Sequence, residues 1–306
     1  MTARLRATAG EGRRGPDRTL IGVADTEIAG APPGTAPPRP QSLVLAFFGN
    51  HVLDEDGRCV YSGSIIDVLG RAGVGEQAVR STLTRMVGRG LLRRQRQGRR
   101  MYFGLTPQAK RILRDGSRRI WHDGAVNEDW DGVWTLLGFS LPDSWQRQRY
   151  DLRSRLIWYG FGALYSGLWI APGRVDVSAV VAELGLTDRV TVFHARADET
   201  TTDVDRVVRE SWDLPAIAAR YTAFDRRWTA WEATAGHTGD PVATRLLLVT
   251  EWLGVIRTDP RLPARHLPAR WPARAAQETF RRIAAQTKEP ARRMAHRILD
   301  TVPEEP

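Results

Sequence analysis

Between Gly73 and Pro107 the chain reads GVGEQAVRSTLTRMVGRGLLRRQRQGRRMYFGLTP, and few folds accommodate such a stretch. Its first half repeats apolar residues at helical spacing, and its second half reads as two short strands around a glycine turn. On a wheel of 100° per residue, Val79, Leu83, Met86 and Val87 share one face of a helix from about Glu76 to Arg89. Gln77, Ser81, Thr84 and Gly88 fall on the opposite face, rimmed by Arg80 and Arg85. Gly90 stands where a helix closes on a left-handed residue. LLRRQR, QGRR and RMYFGL then predict strand, tight turn and strand.

Charge sharpens this reading. Arg71 to Ile120 holds 14 basic and 2 acidic residues, while the rest of the chain holds 31 and 33. The whole excess of +10 therefore sits in one window, which is the footprint of a surface that binds a polyanion. Of the 45 basic residues only Lys110 and Lys288 are lysine, so the preference for arginine carries no weight, but the clustering does. Small side chains on the outward helix face permit close approach to a major groove. Hydroxyls and amides there reach base edges, and arginines reach phosphate or guanine. Three helices followed by a hairpin is the winged helix-turn-helix order, with the Gln97–Arg100 turn as a wing against backbone or minor groove. The candidate DNA contacts are Gln77, Arg80, Ser81, Thr84, Arg85, Arg96, Arg99 and Arg100. The competing reading is an ordinary helical subdomain with a solvated arginine face.

Around this block the chain divides into four. Residues 1–40 are rich in Gly, Pro, Ala and Arg and cannot bury enough apolar surface to offset ordering entropy, so a disordered tail is expected. A basic arm touching DNA is the alternative for that tail. The DNA-binding domain then spans 41–122. It begins with a buried helix over Leu43–Phe48, stopped at Gly49-Asn50. A second short helix is capped by Ser62 or Ser64, and Thr106-Pro107 opens a basic helix to about His122. Cys59 is placed in a polar turn between the first two helices. As the single cysteine it excludes an internal disulfide and fits a reducing, cytoplasmic setting.

From 123 to 205, apolar strand-like runs and helical runs alternate: GVWTLLGFSL, DSWQRQRYDLRSRLIWYG, FGALYSGLWIAP split at Ser166-Gly167, VSAVVAELGL and RVTVFHARA. Strand, helix, strand, strand, helix, strand is the ferredoxin-like βαββαβ order. From 206 to 306 the spacing is helical throughout. Ile217, Tyr221, Phe224, Trp228 and Trp231 form one stripe, Leu246 to Leu253 another, and Phe280, Ile283 and Ala284 a third. The expected fold class is thus α+β and multidomain, with an N-terminal winged helix-turn-helix, a ferredoxin-like middle domain and an all-helical C-terminal domain.

Enzyme signatures are missing from the sequence. No G-x-S-x-G elbow, Walker loop or G-x-G-x-x-G after a strand occurs, and the six histidines show no paired spacing. No catalytic residue, metal or cofactor is expected. No apolar run approaches the roughly 18 residues of a membrane span, and the N-terminus has no signal-peptide core.

LAFFGNHV, GVGEQAVRSTLTRMVGRGLL and QGRRMYFGLTPQAKRIL closely resemble the N-terminal domain of the PaaX family of bacterial transcriptional repressors. WDGVWTLLGFSLP, YGFGALYSGLWIAP and TRLLLVTEWLGVIRTDPRLPARHLPARWP look like that family's later signatures, so the resemblance covers about Gln41 to Ala285. It implies a homodimer on double-stranded operator DNA, usually a repressor, released by a small organic acid or its CoA thioester. Its middle domain is similar to small CRISPR-associated endoribonucleases, which use an aspartate near the first strand to hold a metal. Asp131 is the nearby candidate, and metal-dependent nuclease activity is the alternative function; an RNA-binding or scaffold role is a third. For an effector, two aromatic and arginine-rich helices suggest a site between the middle and helical parts. Its candidates are Arg149, Arg153, Trp158, Trp212, Arg220 and Arg227, with aromatics for an acyl or aryl group and arginines for a carboxylate or phosphates.

Overall fold

A computed structural model describes residues 38–55, 57–122, 124–235, 239–257 and 259–305; the proposed 1–40 tail lies almost wholly outside them. The described residues form a mixed α+β chain with ten α-helices and two small antiparallel sheets.

The first part runs α1 (Pro40–His51), β1 (Arg58–Tyr61), α2 (Ser62–Arg71), α3 (Glu76–Gly88), β2 (Leu92–Gln97), β3 (Arg100–Leu105) and α4 (Pro107–Trp121). α3 buries Val79, Thr82, Leu83 and Met86. It stops because Gly90, at φ 67°, lets the Gly90 N–H reach the Val87 carbonyl and the Leu91 N–H reach Met86. Thr106 caps α4: its Oγ1 accepts from the Ala109 N–H at 3.2 Å and donates to the Gly90 carbonyl at 2.7 Å. One side chain thereby ties the start of α4 to the end of α3.

Three local expectations are corrected here. α1 does not stop at Gly49-Asn50 but continues to His51. Neither Ser62 nor Ser64 caps α2; Ser64 is buried and spends its hydroxyl on the Ile298 carbonyl and the Asp300 N–H instead. Cys59 is not in a turn. It is fully buried in β1, whose residues pair Cys59 with Gly104 and Val60 with Phe103. Four residues between a loop and a helix carry too little periodicity to announce a strand; β3 supplies the pairing that makes them one.

The middle part runs β4 (Trp134–Phe139), α5 (Gln146–Trp158), β5 (Gly162–Tyr165), β6 (Leu168–Pro172), α6 (Ser178–Glu183) and β7 (Val190–Ala195). Its sheet order is β5-β6-β4-β7, and every neighbouring pair is antiparallel. Leu137, Phe139, Trp169 and Ala171 pack under Leu152 and Leu156 of α5 and Val181 of α6. The other face, through Trp134 and Ile170, is covered by Val204 and Val208 of α7 (Val204–Ser211) and by Leu214 and Leu262. At the start of α5, Trp145 holds the N-cap position without a side-chain cap bond.

The last part contains α8 (Leu214–Ala235), α9 (Pro241–Arg257) and α10 (Ala273–Ile298). α9 is apolar nearly all round, so it needs cover on several sides. It packs against α8 and α10 and also against α1, α2 and α4. The stripes converge at Trp252, which stacks on Phe280 at 4.9 Å and meets Phe224 at 5.1 Å. This part is not all helical. After α10 the chain forms β8 (Thr301–Pro303), which pairs antiparallel with β1 and completes the sheet order β2-β3-β1-β8. The edge of β1 offered unpaired backbone groups, and the chain terminus satisfies them.

Candidate functional site

All eight candidate DNA contacts are exposed: Gln77, Arg80, Ser81, Thr84 and Arg85 on α3, and Arg96, Arg99 and Arg100 on the hairpin. Gly88, at the end of the same polar face, is also exposed. Local geometry distinguishes among them. Arg80 lies along its helix with Nη2 2.7 Å from Glu76 Oε1, and the Thr84 hydroxyl donates back to the Arg80 carbonyl. Arg85 donates to the buried Thr82 hydroxyl at 3.1 Å. Arg96 turns to the Gly98 carbonyl at 3.0 Å across the tight turn, where Gly98 has φ 59°. Arg100 is engaged elsewhere, with Nη1 2.6 Å from Asp300 Oδ2 and its guanidinium 5.1 Å from the Tyr61 ring centroid.

The six effector candidates have different partners. Arg149 donates to the Leu141 carbonyl at 2.8 Å, and Arg227 pairs with Glu251 at 3.4 Å inside the helical part. Arg153 is exposed on α5, and Arg220 is half-buried on α8. Trp158 lies between the Arg119 and Arg257 guanidiniums, at 5.9 and 5.0 Å. Here α4, α5 and α9 meet. Trp212 donates to the Gly160 carbonyl at 3.2 Å and stacks on Trp134.

A cleft of about 260 Å³ opens beside that stack, where the middle part meets the loop after α9. Trp130, Trp134, Arg196, Glu199 and Arg265 line it, together with the Asp131-Gly132 turn. Arg265 lies 4.5 Å over the Trp130 ring and is held by Glu199 at 3.0 Å. Apolar indole faces beside guanidiniums suit a small ligand with a flat apolar part and an anionic end. WDGVW is visible in the sequence, whereas its proximity to Arg196 and Arg265 is not, since these come from distant segments. Asp131 caps its own turn by accepting the Val133 N–H at 3.0 Å. Among the described residues no cluster of three or more His, Cys, Asp or Glu side chains is placed to hold a metal. No helix among them is long and apolar enough to cross a membrane.

Fold and site together define a three-part α+β protein with a concentrated arginine surface on α3 and the adjacent hairpin. Family models match in three consecutive blocks: PaaX-like protein at residues 39–109, PaaX protein central Cas2-like domain at 127–207, and PaaX-like protein C-terminal domain at 212–297. The chain belongs to the PaaX family. It is 29% identical over 248 residues to the transcriptional repressor PaaX of Escherichia coli strain K12, covering 78% of this chain and 77% of that protein. A solved structure of an uncharacterized protein from Mycobacterium tuberculosis shares the fold, with TM-score 0.55 and 23% identity. That match covers 85% of this chain and all of the other.

Proposed function

We propose that the protein is a transcriptional repressor whose residues 41–122 form a winged helix-turn-helix domain on double-stranded operator DNA. The observation that carries the reading is the exposed face of α3. It is small and polar, rimmed by Arg80 and Arg85, and followed at once by an exposed arginine hairpin. A groove-inserted helix needs a face free of bulk, and a wing needs cations toward phosphate. The named function of the Escherichia coli relative supports the same reading.

In this reading the middle part, 123–205, is ferredoxin-like, and 206–306 forms the helical part. The active species is a homodimer on an inverted repeat. A small organic acid or its CoA thioester releases the operator by binding at the junction of the middle and helical parts, and the Trp130–Arg265 cleft lies at that junction. An expected absence of enzymatic chemistry goes with this reading.

The test is footprinting upstream of the protein's own gene cluster, followed by titration of candidate acids and thioesters into the operator complex. A protected inverted repeat, lost on adding one of them, is expected. Sequence-independent binding that no such compound alters overturns the reading.

A further inference from the structure

The geometry points to the last residues of the chain as an acidic strap across the arginine hairpin, competing with DNA phosphates for Arg93 and Arg100. The inference rests on the reading that this hairpin contacts DNA, and it adds a built-in brake on that contact.

Residues 300–305 read DTVPEE, with three carboxylates and no cation. They begin two residues after α10 ends. Arg58, Cys59 and Val60 of β1 pair with Pro303, Val302 and Thr301, so backbone bonds fix the segment's register. The Tyr61 N–H donates to the Asp300 carbonyl at 2.9 Å, and the Asp300 N–H donates to the Ser64 hydroxyl at 3.0 Å. At this end the Asp300 carboxylate takes Arg100 at 2.6 Å and accepts from the Tyr102 hydroxyl at 3.3 Å.

At the other end the chain reaches the far strand of the sheet. Gln95 of β2 donates to the Pro303 carbonyl and accepts from the Glu305 N–H, each at 3.1 Å. Glu304 forms an ion pair with Arg93. Arg93 reaches it because its cross-strand partner is Gly104: a Cβ there would lie 3.1 Å from Arg93 Nε and 2.6 Å from the Cys59 sulfur. Arg93 Nε and Nη2 are buried without a hydrogen-bond partner. Among the described residues Glu304 is the ion-pair partner of this guanidinium.

The strap's carboxylates stand where phosphates would approach the base and tip of the hairpin. They lower the local positive potential and occupy two guanidiniums.

The experiment compares the full chain with its Asp300→Asn/Glu304→Gln variant on a random-sequence duplex, from 50 to 200 mM salt. These substitutions keep the backbone pairing and remove the charge. Each arginine freed for phosphate adds about 0.9 to the salt slope, so the variant's ratio of affinities at 50 and 200 mM grows by about tenfold. Tighter binding at low salt with the steeper slope is expected. Binding equal to or weaker than that of the parent overturns the strap. Arg99→Ala, measured alongside, separates the two ideas. If it fails to weaken binding, the hairpin reading itself falls; if it weakens binding and the double variant is unchanged, only the strap falls. If the double variant does not unfold cooperatively, Glu304→Gln alone reads half of the slope change by the same criteria.

Discussion

Arg80 and Arg85 rim the polar face of α3, and each is held by its own helix, through Glu76 and Thr82. Such exposed i,i+4 and i,i+3 contacts are weak and readily exchanged for a stronger acceptor. Arg80→Ala or Arg85→Ala should therefore weaken operator binding, by about 1–3 kcal/mol where the lost contact is to a base edge. Arg99→Ala should weaken binding to all sequences and flatten the salt slope by about 0.9. Filter binding or anisotropy across salt concentrations checks both; unchanged affinity in all three variants defeats the assignment. A different side chain contributes to the dependence of stability on pH. His51 ends α1, where the helix terminus favours a charged ring by up to about 2 kcal/mol. Burial beside Phe47 and the nearby Arg245 guanidinium outweigh that and lower its pKa to about 4. Between pH 6.5 and 4 the unfolded chain binds a proton here that the folded chain does not, so stability falls as pH falls through that window. The full loss is roughly 3 kcal/mol, and urea unfolding at stepped pH should show it in the parent and lose it in His51→Phe.

Elements are joined by a few residues whose loss has separable effects. Thr106 both caps α4 and bonds the Gly90 carbonyl that closes α3, so Thr106→Ala should cost about 1–2 kcal/mol, toward the upper range for caps. Thr106→Ser keeps the hydroxyl and should recover most of that in a denaturant titration. Gly160 follows α5 at φ 84°, and a Cβ there would lie 3.2 Å from the Pro260 backbone. Gly160→Ala adds left-handed strain to a backbone clash and should cost about 1–3 kcal/mol, read as a lowered thermal midpoint. The hairpin and α3 are legible in sequence because each carries its own period and its own stop signal, Gly90 and Gly98. β1 is not legible: four residues have no room to show alternation, and Cys59 becomes a strand residue only through Gly104 opposite it.

For the whole molecule, the reading as an operator-bound dimer has a geometric consequence. One α3 and one wing read a single short half-site, so tight specific binding needs two half-sites about 10 bp apart, or a multiple of that spacing. Sedimentation of the protein on a footprinted operator should give two chains per inverted repeat; one chain on one half-site refutes the dimer. Trp158, set between Arg119 and Arg257, and the cleft at Trp130 and Arg265 both lie where parts meet. What the sequence alone determined is local: the two-faced helix, the arginine hairpin, the alternating middle part and the apolar stripes later buried around Trp252. Each of these follows from periodicity and charge within about twenty residues. What only the tertiary structure decided is which distant groups meet. Arg100 looks like a free cation in the sequence, yet Asp300, two hundred residues later, holds it. Glu304 is an unremarkable tail acid until β8 brings it to Arg93. The cleft beside Trp130 brings together Arg196 and Arg265, which lie far apart in the sequence. Strand edges and ion pairs choose partners by position in space, and no spacing along the chain encodes that position.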